Sequence, residues 1–157
     1  MQVAHKLVTG TPFAMTTGAK TVLMAIAPAG HGLQLVSITV SFDGVTTTDV
    51  PALVEIVTST QAGAGTSGVA PTITQIRGRS TGGSAPTGGS NYTVEPTVLV
   101  SVERFYLPQL MGTYTLQLPL GREIECDASG GTIKALGIRV NVSANVNCVA
   151  TMEVENL

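Results

Sequence analysis

Few residues of this chain have side chains that could carry out catalysis or bind a metal ion. The two histidines, His5 and His31, lie in different segments, and neither has a Cys, Asp or Glu at the spacing of zinc ligands. The Gly-x-Ser-x-Gly motif of a nucleophilic serine is absent. A Ser/His/Asp triad is assembled in space, so the sequence leaves that arrangement open. His31 lies between glycines, and we interpret it as a surface residue of a turn.

Three carboxylates, Glu123, Glu125 and Asp127, alternate along one face of a predicted strand. On a shared face they could bind Ca²⁺ or act as an acid–base pair. They are also typical of the solvated face of an edge strand, where charge opposes association with other strands. We favour the structural interpretation and predict no metal site, no cofactor and no catalytic residue.

The two cysteines, Cys126 and Cys148, fall on the apolar side of predicted strands. A buried thiol behaves as a small hydrophobic side chain, and thiols stay reduced in the cytosol. A disulfide bond would require the two strands to be neighbours, and the sequence leaves that open.

Two glycine-rich stretches, residues 62–68 and 80–90, interrupt the middle of the chain. Neither ends in the Gly-Lys-Ser/Thr of a phosphate-binding loop, so nucleotide binding is not predicted. Such residues bury too little apolar area to order the backbone. We therefore predict a long, flexible Gly/Ser/Thr-rich excursion over residues 58–95 that becomes ordered on contact with a partner. Residues 73–79 within it could add an edge strand.

Charged residues make up only 11% of the chain, against roughly 25% in typical globular proteins. A surface poor in charge loses little solvation energy on docking, which favours a protein that packs against others. The same composition also fits an ordinary β-protein with threonine on its outer face. The net charge is −2 and the basic residues are scattered, so no nucleic-acid partner is predicted. Without a long apolar run or a signal segment, we expect synthesis in the cytosol and no membrane association.

The stretch from Leu33 to Phe42 indicates the type of fold that positions the candidate residues described above. Apolar and hydroxyl side chains alternate along it, with Val36, Ile38, Val40 and Phe42 on the apolar face. Such alternation is typical of a half-buried strand, and Asp43-Gly44 supplies the turn after it. Residues 97–107 repeat the pattern, with Val98, Val100 and Val102 predicted to point inward.

About eight strands of this kind are separated by turn residues, and helical periodicity is absent. This spacing predicts an all-β fold, an antiparallel β-sandwich that is best matched by a jelly roll of about eight strands. An immunoglobulin-like sandwich is the alternative. Residues 1–19 are predicted to form an N-terminal arm, which packs on its own domain or reaches a neighbour. Residues 20–157 are predicted to form a single domain.

Several short segments resemble a family of small tailed-bacteriophage head proteins. They are Lys20-Thr21-Val22-Leu23, Ala27-Pro28-Ala29-Gly30, Ser41-Phe42-Asp43-Gly44, Leu53-Val54-Glu55-Ile56, Glu95-Pro96-Thr97 and Pro119-Leu120-Gly121-Arg122-Glu123-Ile124. The resemblance implies a capsid decoration (cement) protein, a jelly roll that sits as a homo-trimer on the outer surface of the virion. It implies the major capsid protein as partner, whose neighbouring subunits it would bridge and stabilise. It carries over no catalytic residue, cofactor or small-molecule substrate.

Partner contacts are expected from the arm and from the excursion. The candidate residues are Phe13, Met15, Gly65, Ile73, Ile76, Arg77, Arg79 and Tyr92. The first rival function is a receptor- or carbohydrate-binding jelly-roll module of a phage head fibre or tail, which needs exposed aromatic rings. The second is a cupin-like enzyme, which needs clustered histidines.

Overall fold

The computed structural model describes residues 3–10, 12–45, 50–78 and 85–157. Within these ranges the chain forms strands and no helix, so the all-β prediction is confirmed. The strands are β1 (Ala4–Val8), β2 (Phe13–Met15), β3 (Gly18–Ile26), β4 (Gly32–Phe42), β5 (Ala52–Gly63), β6 (Thr66–Val69), β7 (Thr72–Arg77), β8 (Thr87–Val94), β9 (Thr97–Leu107), β10 (Thr113–Gln117), β11 (Ile124–Asp127), β12 (Ala135–Val142) and β13 (Val146–Asn156).

The strands form two antiparallel sheets that pack face to face. Sheet A has the order β10-β4-β13-β1-β7, with β11 also paired to β4 and β2 paired to β13. Sheet B has the order β6-β8-β3-β12-β5-β9. The inward side chains of both sheets form one apolar cluster, which includes Leu35 and Val40 of β4 and Leu136 and Ile138 of β12. The predicted antiparallel β-sandwich is therefore confirmed.

Strand β4 is central to sheet A, and its alternation matches the sequence pattern with one exception. Ile38, Val40 and Phe42 are buried in the core. The register with β13 shifts between Glu153 and Val154, which makes Val36 an extra residue in β4. A bulge of this kind shifts the alternation by one residue, so side chains before it point to the face opposite to the one that the sequence pattern predicts. Val36 consequently lines a groove on the outer face of sheet A.

The predicted N-terminal arm is instead part of sheet A. Strand β1 lies between β13 and β7, and its side chains Ala4 and Leu7 are fully buried. Strand β2 pairs with β13, where Met15 is also fully buried. The two strands have only five and three residues, too few to show a clear apolar periodicity. Of the two alternatives for residues 1–19, the described residues follow the first, since they pack on their own domain as two strands of sheet A.

The predicted flexible excursion is wrong where the structure describes it, because β6, β7 and β8 lie within residues 58–95. The edge strand expected within residues 73–79 is present as β7 at the end of sheet A. Strand β7 extends sheet A next to β1, and β8 and β6 extend sheet B beyond β3. Glycine serves close backbone approach here, since a Cβ on Gly88 would lie 2.4 Å from the carbonyl oxygen of Met24. Gly88 therefore permits tight pairing of β8 with β3 and is not a source of disorder.

The three added strands extend one side of the sandwich only. On the opposite side sheet A ends in β10 and sheet B ends in β9. Phe105 of β9 and Tyr114 of β10 meet there, with their ring centroids 4.5 Å apart. The long strand β9 therefore forms an edge on the side that the insertion does not reach.

We predict that His5 makes the fold sensitive to acid. His5 is buried, opposite Val154 of β13 and Gln75 of β7, and its Nδ1 atom has no hydrogen-bond partner in the described part of the chain. Burial lowers the pKa of His5 below its ordinary value of 6.5. Since the unfolded state then binds the proton first, stability is lost as the pH falls below 6.5 toward the folded-state pKa.

Urea unfolding of the wild type and of His5→Gln between pH 5 and 7.5 measures this contribution. The wild type should lose stability with falling pH more steeply than the variant, by at most about 1.4 kcal/mol per pH unit for one proton. His31→Gln is the matched control, because His31 lies on a turn and is partly exposed. Parallel pH profiles for wild type and His5→Gln would contradict the prediction.

Candidate interaction surface

The fold places the two histidines in different segments. Around His31 it gathers Glu125, Cys126, Asp127 and Ser129, which line one pocket of about 470 Å³. His5 lies in β1, whereas His31 lies in a turn where its N–H donates to the carbonyl of Pro28 at 3.1 Å. In the described ranges, no group of three or more His, Cys, Asp or Glu residues could hold a metal ion.

Two of the three alternating carboxylates, Glu123 and Asp127, accept hydrogen bonds in the turns around strand β11. An oxygen of Glu123 accepts a hydrogen bond from the N–H of Gly121 at 2.7 Å. Asp127 accepts hydrogen bonds from the N–H and the hydroxyl of Ser129 at 2.7 and 2.5 Å. These bonds hold the pKa of Asp127 below its ordinary value. Glu125 is exposed between them, so the arrangement is that of a solvated edge strand.

The two cysteines are free, buried and far apart. Cys126 is opposite Leu33 and Cys148 is opposite Phe42, which places them at the two ends of β4. Leu33 and Phe42 are nine residue steps apart along β4, which corresponds to a distance of about 30 Å. A disulfide bond between these cysteines within one chain is incompatible with this fold.

We predict that neither thiol reacts in the folded protein. Burial raises the pKa of Cys126 to about 11 and that of Cys148 to about 12. At pH 8 the thiolate form of Cys126 is thus about a thousandth of the total. A chromogenic disulfide reagent should detect no rapid thiol in native buffer and two thiols per chain in 8 M urea. Fast native labelling of either cysteine would contradict this placement.

The most unusual surface of the molecule is the edge formed by strand β9. Val98, Val100 and Val102 are 55%, 58% and 48% exposed, and Tyr106 is 71% exposed. In the described part of the chain, β9 pairs with β5 alone, so the backbone groups on its other side have no strand partner. We call these four side chains and this backbone the β9 edge. A long apolar edge strand is a template for pairing with another chain.

The sequence prediction that the three valines point inward is wrong. Strand β9 shifts its register against β5 between Ile56 and Val57, which makes Val102 an extra residue. Val98 has a positive φ of 58°, which is unusual for a β-branched residue. Alternation predicts two faces of a strand but not whether a second sheet covers either face. At the end of sheet B the valines remain exposed.

A buried carboxylate fixes β9 against the rest of sheet B. Glu55 of β5 is only 6% exposed. Its Oε1 atom lies 2.8 Å from the Arg104 Nε and 2.8 Å from the Ser101 hydroxyl, and both donors belong to β9. Its Oε2 atom lies 3.6 Å from a guanidinium nitrogen of Arg139 on β12. Three strands are thereby tied together on the outer face of sheet B.

A second carboxylate fixes the connection that enters β9. Glu95 accepts hydrogen bonds from the N–H of Thr21 at 2.8 Å and from its hydroxyl at 2.6 Å. The Arg139 Nε lies 3.8 Å from the same carboxylate, close enough for an ion pair but without a hydrogen bond. The β8–β9 connection is therefore held against β3, which fixes the position of the first residues of β9.

Two of the predicted partner contacts are buried in the chain itself, so that prediction is wrong for them. Met15 is fully buried in the main core. Tyr92 is 5% exposed and packs with Met24 and Ala135 in a second apolar cluster.

The remaining predicted contacts are dispersed. Phe13 and Ile73 are half-buried against the core. Gly65 is exposed beside β6, while Ile76 and Arg77 are exposed at the end of β7. Arg79 lies outside the described residues. The structure thus does not join them into one surface, and the sequence reasoning missed the β9 edge.

Comparisons of this chain with protein-family models, with curated proteins and with solved structures gave no match. A helix of the length and apolarity needed to cross a membrane does not occur in the described ranges.

We predict that Glu55→Gln destabilises the protein by about 1–3 kcal/mol, because Arg104 and Arg139 lose their carboxylate partner. The value stays below that of a fully buried ion pair, since the Arg104 side chain is 64% exposed. Urea unfolding measures the change. Glu103→Gln is the matched control, an exposed carboxylate on the neighbouring strand β9, and should change stability by less than about 0.5 kcal/mol. Equal effects of the two substitutions would contradict the role of Glu55.

Proposed function

We propose that this chain is a structural virion protein, a decoration (cement) protein that binds the outer surface of a phage capsid. In this role it would form a homo-trimer and bridge neighbouring major capsid subunits. The observation that carries the proposal is the β9 edge, a long apolar edge strand that is fixed against β5 and whose outer side has no strand partner within the described chain. The short motifs that resemble small phage head proteins add to it.

The strand order supports the finer proposal of a jelly roll. Without the inserted strands β6 to β8 and the short β2 and β11, sheet A has the order β1-β13-β4-β10 and sheet B the order β3-β12-β5-β9. Counted along the chain, these eight strands have the orders 1-8-3-6 and 2-7-4-5. This is the order in which two Greek keys wrap around a common core. A rigid double sheet is suited to resisting deformation of a shell.

The low charge of the surface fits the same role. Strand β9 carries two charged residues, Glu103 and Arg104, and Arg104 is already paired with Glu55. Docking against the valines of β9 would therefore desolvate few uncompensated charges. Association in a trimer would also multiply weak contacts to a shell, because each further contact forms at high effective concentration.

The alternative is a receptor- or carbohydrate-binding module of a head fibre or tail, and the exposed Tyr106 is the observation in its favour. Sugar recognition uses aromatic faces together with convergent polar groups. A glycan array that shows selective binding, lost in Tyr106→Ala and retained in Val100→Asp, would favour this alternative over decoration.

We predict that Val100→Asp weakens self-association and capsid binding by at least about tenfold, since it places a charge in the middle of the β9 edge. Mass photometry measures the trimer, and co-sedimentation with empty capsid shells measures occupancy. Val69→Asp is the matched control, because Val69 is a 46%-exposed valine on β6 at the opposite edge of sheet B. Unchanged trimer and shell occupancy in a folded Val100→Asp variant would count against the proposal.

A further inference from the structure

A groove crosses the outer face of sheet A, on a different surface from the β9 edge. Its volume is about 880 Å³. Val36 of β4 and Glu153 and Glu155 of β13 lie along it, Leu120 belongs to one of its walls, and Ile76 lies on β7. Apolar side chains and carboxylates thus line the same depression.

A rigid turn projects beside this groove. The N–H of Arg122 donates to the carbonyl of Pro119 at 3.0 Å, and the N–H of Gly121 donates to Glu123 at 2.7 Å. Gly121 has a φ of +81°, a conformation that glycine adopts without strain. At the tip of the turn Leu120 is 97% exposed. The turn presents a leucine that contributes almost nothing to the core of its own chain.

Charges of opposite sign are separated between the turn and the groove. Arg122 is exposed and has no carboxylate within ion-pair distance in the described part of the chain. In the groove Glu155 is paired with Arg77 and accepts a hydrogen bond from Gln34 at 3.1 Å. Glu153 makes no ion pair with a described residue, although Lys6 is opposite it on β1. The turn thus carries an apolar tip and a cation, and the groove carries apolar walls and an anion.

We propose that two copies of this chain associate about a twofold axis through this surface. Leu120 of each copy enters the groove of the other, against Val36 and Ile76 of the partner subunit, and Arg122 faces Glu153 of the partner subunit. A twofold contact follows because the projecting turn and the groove belong to one patch, so the patch is complementary to itself. The proposal goes beyond the proposed function, because it rests on the turn and the groove of sheet A and not on the β9 edge.

The contact should be weak and sensitive to salt. The hydrogen-bonded turn is already ordered, so little conformational freedom is lost when Leu120 is buried. The ion pair between Arg122 and Glu153 of the partner subunit would lie at the rim, where salt screens it. We expect a dimer that forms at chain concentrations on the order of 100 μM and weakens between 0.05 and 0.5 M salt.

Analytical ultracentrifugation of the full chain over a concentration series tests the apolar half of the contact. Leu120→Ser should raise the dissociation constant of the dimer at least about tenfold, because the main buried side chain is lost. Val45→Ser is the matched control, since Val45 is an 88%-exposed apolar residue elsewhere on the surface. It should leave the dissociation constant unchanged.

A charge exchange tests the geometry of the contact. Arg122→Glu and Glu153→Arg should each weaken the dimer several-fold, and the double variant should recover the wild-type constant because the pair is restored with reversed sign. Lys134→Glu, an exposed lysine outside the groove, is the control for net charge.

A chain that stays monomeric at all concentrations would overturn the proposal. So would a dimer unaffected by Leu120→Ser, or an assembly abolished by Val100→Asp and insensitive to every groove variant. The last result would leave the proposed decoration function standing, since that function rests on the β9 edge. Conversely, a groove dimer formed by a chain that does not bind capsid shells would support this inference and count against decoration.

Discussion

The structure depends on the burial of one face of each sheet against the other. Strand β4 of sheet A and strand β12 of sheet B supply the centre of that contact, with side chains such as Ile38, Val40, Leu136 and Ile138 that are almost fully buried. Burial of each such side chain stabilises the folded state by roughly 1.5–3 kcal/mol before the entropy of ordering is subtracted. Every other element, including both candidate contact surfaces, is attached to these two strands directly or through one or two neighbours.

The central strands were the part of the fold that the sequence predicted well. Apart from Val36 of β4, apolar side chains alternate with small or polar ones along both strands, and such alternation is typical of a strand with one buried face. The outer strands are harder to predict, because their exposed positions and their glycines leave no apolar periodicity in the sequence. Strand β6 is exposed at all four positions, so no apolar periodicity could identify it, and the glycines of β8 resemble those of a flexible linker.

The interaction surface could not be predicted for a related reason. The valines of β9 have the spacing of core residues, and only the position of β9 at the end of sheet B leaves them exposed. That position depends on long-range pairing, which a local pattern does not contain. Glu55 illustrates the same limit, since a lone glutamate in an apolar strand gives no sign that Arg104 and Arg139 will surround it.

The insertion of β6, β7 and β8 has a consequence for how far copies of this chain can polymerise. A filament built by strand addition needs two long open edges, one at each end of the repeating unit. The insertion ends sheet B in a four-residue strand and ends sheet A in a strand whose register is interrupted by a bulge. Among the edge strands of the described residues only β9 is longer than six residues, so pairing of one β9 with another closes on itself and does not propagate into a fibre.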